Sequence, residues 1–448
     1  MSILSRLIEG KWKKLLGFVI WKCLIDYMYA EIITDIYAYM NHIADYNFRK
    51  LLISWLCFLA FLFLGTLINE GMIKFSYDFL LILSLIPTLT VWWVRNDDTK
   101  CMLLVLLYWS VWGFTSILLS KSTIYNIHKS ISNFSNETIR KDEIDNDLNL
   151  TAIMVMFLIC AVSTLYFSYR YGGMRLFVRL GDVYSYRMVE GNNMSSLGAY
   201  WYNWMVSIVM PLILLFYIIN KKHIFTLLCC LLISMNYSIY GNKAMLFMII
   251  LTICISIIHF TDISKQLTNY ILLGLNFATF GSCVLEKLQI TGWGVALVDR
   301  MTTEIATGHF YYYDFFQNHP LLLLRQSVLR FLGSDPYGTP IGIIIGSDSK
   351  YNLSGNYNNF NNGVFSDAYA NFGVIGVVIY PILFVVSICI FEIMLSDVGQ
   401  VYKYLILCWL LLYCMSIGYF QWLVSGGFVV AVIILRVYKH YKIRIGSR

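Results

Sequence analysis

Asp367 stands where a polar stretch passes into a long apolar one, in the run GVFSDAYANFGVIG over 363–376. A carboxylate at such a junction can take the proton of an attacking hydroxyl as a general base. It can equally cap or charge the first turn of the helix that follows. His309 and His319 are alternative proton carriers in the same region, and Asp335 is a further carboxylate.

Arginine is the second chemical signal. Arg170, Arg175, Arg179 and Arg187 crowd one polar stretch, and Arg300, Arg325 and Arg330 lie in another, with Lys287 and Lys350. The planar guanidinium fork matches phosphate oxygens, so both stretches are candidate sites for a diphosphate. Lipid head groups, or ion pairs with Asp182, Glu190 and Glu304, are the structural alternative. Tyr369, Asn371, Asn361, Asn362 and Tyr357 combine flat rings with amides, which suits the faces and hydroxyls of sugars. The run from Tyr311 to Phe316 fits an interfacial aromatic belt better than a ligand site.

No cofactor is expected. Asp145-Asn146-Asp147 has the form of a metal-binding DxD but lies in a charged segment, where solvated acids are the simpler reading. His309 and His319 have no evident third ligand, so no metal site is read. There is no Walker A motif and nothing that points to nucleic acid. The eleven cysteines fall mostly in apolar runs and behave as small hydrophobes.

The elements that must hold these residues are membrane helices. Hydrophobic residues make up 58% of the 448 and charged ones 13%, with a mean hydropathy of +0.65. The apolar runs are continuous, not alternating, which predicts an all-α, polytopic chain. Spans are expected near 51–68, 78–94, 102–120, 150–167, 202–219, 224–240, 243–259, 267–285, 372–391, 404–418 and 423–438. Residues 15–34 add one more if they cross, giving 11–12 in all. Lys22, Asp26 and Glu31 weigh against that crossing, although Lys22 and Asp26 are spaced to pair on one helical face. The segment is therefore either bundle-facing or interfacial. Spans after residue 50 read as nearly free of charge. We expect a single membrane domain over 1–448, without a cleaved leader. The Lys/Arg bias puts both termini in the cytoplasm and the stretches 168–201 and 286–371 outside, as two long loops. Arg49, Lys50, Arg95 and Lys100 fall on the wrong side for that rule.

With this layout the chain resembles the Wzy-type O-antigen polymerases. The specific part of the likeness is SDAYANFGVIGVVIYPILF over 366–384, which enters a membrane helix after an arginine-bearing outer loop. Some members show an arginine, ten residues and a glycine; Arg170 to Gly181 and Arg187 to Gly198 fit, while Arg325 and Arg330 do not. The resemblance implies a fold similar to type C glycosyltransferases. It implies polymerisation of undecaprenyl-diphosphate-linked oligosaccharides at the periplasmic face of the bacterial inner membrane. The partners implied are membrane lipid, a chain-length regulator and a flippase. The sister ligases carry a His about where this chain has Asn361-Asn362, so ligase is the runner-up. A lipid-linked oligosaccharide flippase is the alternative from another class.

Overall fold

The computed structural model describes residues 3–123, 125, 150–171, 175, 194–240, 244–258, 263–327, 329–331, 333–353 and 359–445. Arg179, Arg187, Tyr357, the Asp145-Asn146-Asp147 triplet and most of 168–201 lie outside the described residues. Every described regular element is a helix. In chain order these include α1 (Ile3–Met28), α2 (Phe48–Thr66), α3 (Met72–Val94), α4 (Thr99–Lys121) and α5 (Leu150–Tyr171). Then come α6 (Leu197–Ile219), α7 (His223–Tyr240), α8 (Ala244–Ile258), α9 (Ile263–Lys287), α10 (Trp293–Met301) and α11 (Thr303–Asn318). The last are α12 (Ile341–Ser347), α13 (Phe365–Met394), α14 (Gln400–Cys414), α15 (Tyr419–Leu423) and α16 (Phe428–Ile445). Among the described residues 8 helices are long and apolar enough to cross a membrane, and three shorter apolar helices accompany them. This is a polytopic membrane protein.

The chain groups into two compact units. The first comprises residues 1–123, 264–389 and 414–421. Its centre is α3, whose residues are all buried. α1, α2, α4 and α11 pack on it. Pro87 would clash with the carbonyl four residues back in a regular helix, and a π turn over Leu81–Leu85 widens α3 just before it. The same device, Met205–Val209, precedes Pro211 in α6.

Charge enters this core in closed groups. Lys22 is fully buried and donates to Asp26 at 2.5 Å, and Thr90 and Trp93 of α3 donate to the same carboxylate at 2.6 and 3.0 Å. α1 is thus bundle-facing at this level, one of the two readings its charges allowed. Near the other end of α3, Asp78 binds both Lys74 and Lys14, the latter at 2.6 Å. This corrects the expectation that spans after residue 50 carry almost no charge: Lys74 and Asp78 sit inside a fully buried helix.

The second unit, residues 124–263, 390–413 and 422–448, gathers α5 to α8. A buried polar staple holds it. Tyr202 donates to the Asn236 carbonyl at 2.7 Å, and the Asn236 amide donates to Thr164 at 2.9 Å.

The described residues of the stretch 286–371 do not form an open loop. They fold within the first unit around α11, which buries His309 and the whole run Phe310–Tyr313 with Phe315 and Phe316. The aromatic-belt reading is therefore overturned: Tyr311, Tyr312, Phe315 and Phe316 form a protein core with Leu322, Ile345, Tyr351 and Phe360. Pro320 ends α11 by forcing His319 into an extended conformation (φ −127°, ψ 151°). Residues 322–324 then run back against α13.

α13 is two helices joined at Gly373, whose φ of 56° and ψ of −136° are open in practice to glycine alone. In an unbroken helix the carbonyls of Ala370 and Asn371 would accept from residues 374 and 375. The break frees them, and Leu322 and Leu323 take them with backbone N–H bonds of 2.9 and 3.3 Å. Gly376 completes the bend, since a Cβ there would lie 2.0 Å from the Ala368 carbonyl oxygen. Gly373→Ala should therefore destabilise the fold by about 1–3 kcal/mol although a Cβ there would make only an ordinary contact with Leu321. An unchanged thermal unfolding midpoint in detergent would show that the bend tolerates a side chain.

Candidate functional site

The bend in α13 positions Asp367. It is the third residue of the helix, beyond the cap position, and its carboxylate reaches outside its own first turn. One oxygen accepts from the Asn371 amide at 2.9 Å, and the other from the backbone N–H of Tyr419 at 2.8 Å. Asn371 sits one turn on, and its side-chain oxygen Oδ1 accepts from Leu324 N–H at 2.8 Å. Gly418 makes the approach from the 414–421 segment feasible, because a Cβ there would fall 2.5 Å from the Asp367 carboxylate.

Asp367 faces a cavity of 310 Å³ within the first unit. Its lining brings together Asp367, Arg330, Asp335, Asn361, Asn362 and Asn371, six of the residues singled out in the sequence. Gln326, Tyr312, Ser416 and Gln421 add further polar groups. Gln326 organises one wall: its amide donates to both oxygens of Asp335 at 3.1 Å and to the Thr339 carbonyl at 2.8 Å, and its oxygen accepts from Ile341 N–H. Asn362 forms another. It is 6% exposed and donates to the Ile305 carbonyl of α11 at 2.8 Å, over Gly308, where any Cβ would collide with it.

The other candidates are placed elsewhere. His309 is fully buried, shares hydrogen bonds with Ser366 at 2.8 Å and Ser84 at 3.4 Å, and is pushed down to about 3 by burial. It is a neutral core group that clamps the start of α13, off the cavity lining. His319 is exposed and stacked on Phe315, with ring centroids 3.9 Å apart, also off the lining. Arg300 pairs with Glu304 at 3.2 Å, the ordinary ion pair that the sequence allowed. Beside it, burial first and then the Glu304 charge push Asp299 up to about 7. Arg325 is half-buried on the strap after Leu324, and Tyr369 stacks on Phe365; neither lines the cavity. Arg170 and Arg175 belong to the second unit, where Arg170 lies over the Tyr171 ring at 5.6 Å. Among the described residues, no three His, Cys, Asp or Glu side chains are grouped to hold a metal ion.

Sequence reasoning missed Gln326 and the whole 414–421 contribution. The latter was read as the end of the span 404–418 and part of the short connection before 423, yet Ser416, Gly418 and Gln421 interrupt the apolar run there. The chain matches no family model, no curated protein and no solved structure.

Proposed function

We propose that this protein polymerises lipid-linked oligosaccharide repeat units, transferring a growing glycan from undecaprenyl diphosphate to a hydroxyl of a new lipid-linked repeat. The observation that carries the reading is the cavity itself. It places two carboxylates, Asp367 and Asp335, each held by neutral donors, in one lining with amides and an arginine. In the proposed step Asp367 takes the acceptor hydroxyl proton while that oxygen attacks the anomeric carbon. The bond from that carbon to the diphosphate oxygen breaks, and the lipid diphosphate leaves with the electron pair. Arg330, exposed at the cavity's edge, is the proposed partner for the leaving charge. The step calls for no nucleotide.

The wider reading counts the eleven apolar helices with α1 as about twelve spans, in an arrangement similar to type C glycosyltransferases. The cavity then faces the periplasm of a bacterial inner membrane, where a flippase would supply repeats and a chain-length regulator would act on the product. The buried charges of α1 and α3 do not favour a flippase, because Lys22, Asp26, Lys74 and Asp78 close on one another and none lines the cavity.

Arg330 gives a direct test. Arg330→Ala removes a charge-assisted contact of roughly 1.5–3 kcal/mol, so initial rates of chain extension should fall about tenfold to a hundredfold. Arg330→Lys keeps the charge without the fork and should fall less. Purified protein with lipid-linked repeats provides the rates. Wild-type rates in both variants would take Arg330 out of the mechanism.

A further inference from the structure

We infer that the interior of the Asp367 cavity is a subsite for an uncharged sugar residue, and that it turns away acidic sugars and the diphosphate itself. The inference rests on the glycosyl-transfer reading above. Three features of the cavity support it.

The first is charge. Among the described lining residues Arg330 is the one cation, and it is exposed. Asp335 and Asp367 are the anions, and the donors that satisfy them are neutral: the Gln326 amide and Tyr337 N–H for one, the Asn371 amide and Tyr419 N–H for the other. An anion inside would meet two carboxylates in a partly desolvated space, where like charges repel far more strongly than in water.

The second is an unmatched acceptor on a lining residue. Asn362 spends its amide N–H on the Ile305 carbonyl, and its Oδ1 is buried without a donor. An unmatched buried oxygen is unfavourable, and a hydroxyl can donate to it. A carboxylate or phosphate oxygen brings only more lone pairs. The third is the surface around these groups. Tyr312 has its hydroxyl fixed on the Phe360 carbonyl at 2.8 Å, and its ring lines the cavity with that of Phe420. Flat apolar faces beside amides suit a sugar ring with its hydroxyl rim. The size, 310 Å³, is at the small end of ligand sites, so a sugar residue fits better than a chain.

The test uses the full chain in lipid nanodiscs and ligand-observed saturation-transfer NMR. The ligands are glucose, galactose and N-acetylglucosamine, then glucuronic acid, then inorganic pyrophosphate. At least one neutral sugar should bind, and Asn362→Ala should weaken it about threefold to tenfold, the loss of one hydrogen bond. Asn361→Ala, at an exposed lining position, provides a second variant should Asn362→Ala unfold. Glucuronic acid and pyrophosphate should fail to displace the neutral sugar. Displacement by either anion overturns the inference, as does a panel in which no neutral sugar gives a signal sensitive to either variant. The two readings fail separately. Sugar binding without chain extension by the same preparation removes the polymerase and keeps the subsite. Chain extension with no sugar binding does the reverse.

Discussion

Asp367→Asn is expected to abolish polymerisation, at least a hundredfold in rate, with protein amount unchanged. A positioned general base contributes about 10²–10⁴-fold, and an amide cannot take the proton. The structure sharpens the contrast with a helix-capping role. As a cap, Asn would substitute at little cost. Asp367, however, lies past the cap position, and both its oxygens accept from fixed donors, Asn371 and Tyr419 N–H. Asn offers one oxygen, so one donor would face an NH₂ group, at a cost of about 1–3 kcal/mol. A modest fall in unfolding midpoint is therefore part of the expectation, and activity must be compared at equal folded protein. Asp367→Glu retains the carboxyl but pushes it toward Gly418, where the space is already filled. It should keep a fraction of the rate. The readout is the ladder of lipid-linked or surface glycan lengths in a strain lacking its own polymerase. A normal ladder with Asp367→Asn removes the residue as base. The search then passes to Asp335, the cavity's other carboxylate, ahead of His309, which is sealed in the core.

The membrane helices were legible because continuous apolar runs need only composition and length. Asp367, Asn361, Asn362 and Asn371 were legible because polar side chains at the mouth of an apolar run have few structural reasons to be there. What could not be read is where the chain returns. Tyr419 N–H reaches Asp367 across 52 positions, and the Asn362 amide reaches Ile305 across 57. Neither contact leaves a periodicity or a spacing. The run from Tyr311 to Phe316 misled for a related reason. Aromatic residues at a water boundary and aromatic residues in a core have the same composition, and what separates them is whether α3, Ile345, Tyr351 and Phe360 cover them. Arginine misled differently. A guanidinium suits phosphate wherever it stands, so type alone could not distinguish Arg330 at the cavity from Arg300 on Glu304.

The buried charges of α3 lead to the second large effect. Asp78→Asn should lower stability by about 3–5 kcal/mol, the usual result of removing one partner from a buried ion pair. Asp78 is 1% exposed and is the shared anion of Lys74, in the preceding turn, and Lys14 of α1. Its loss leaves two ammonium groups facing each other inside a helix bundle, with Tyr77 beside Lys74. The pairing also ties α1 to α3, so the damage should spread to the Lys22 and Asp26 contact further along α1. Lys74→Met should be milder, because Asp78 keeps Lys14 at 2.6 Å. Combining Lys74→Met with Asp78→Asn should recover part of the loss, since one stranded charge is removed. Thermal unfolding of the purified variants, with membrane abundance as a second reading, gives the comparison. An unfolding midpoint for Asp78→Asn within a degree or so of wild type would mean that the group is solvated in the membrane and that α1 is held by its apolar contacts alone.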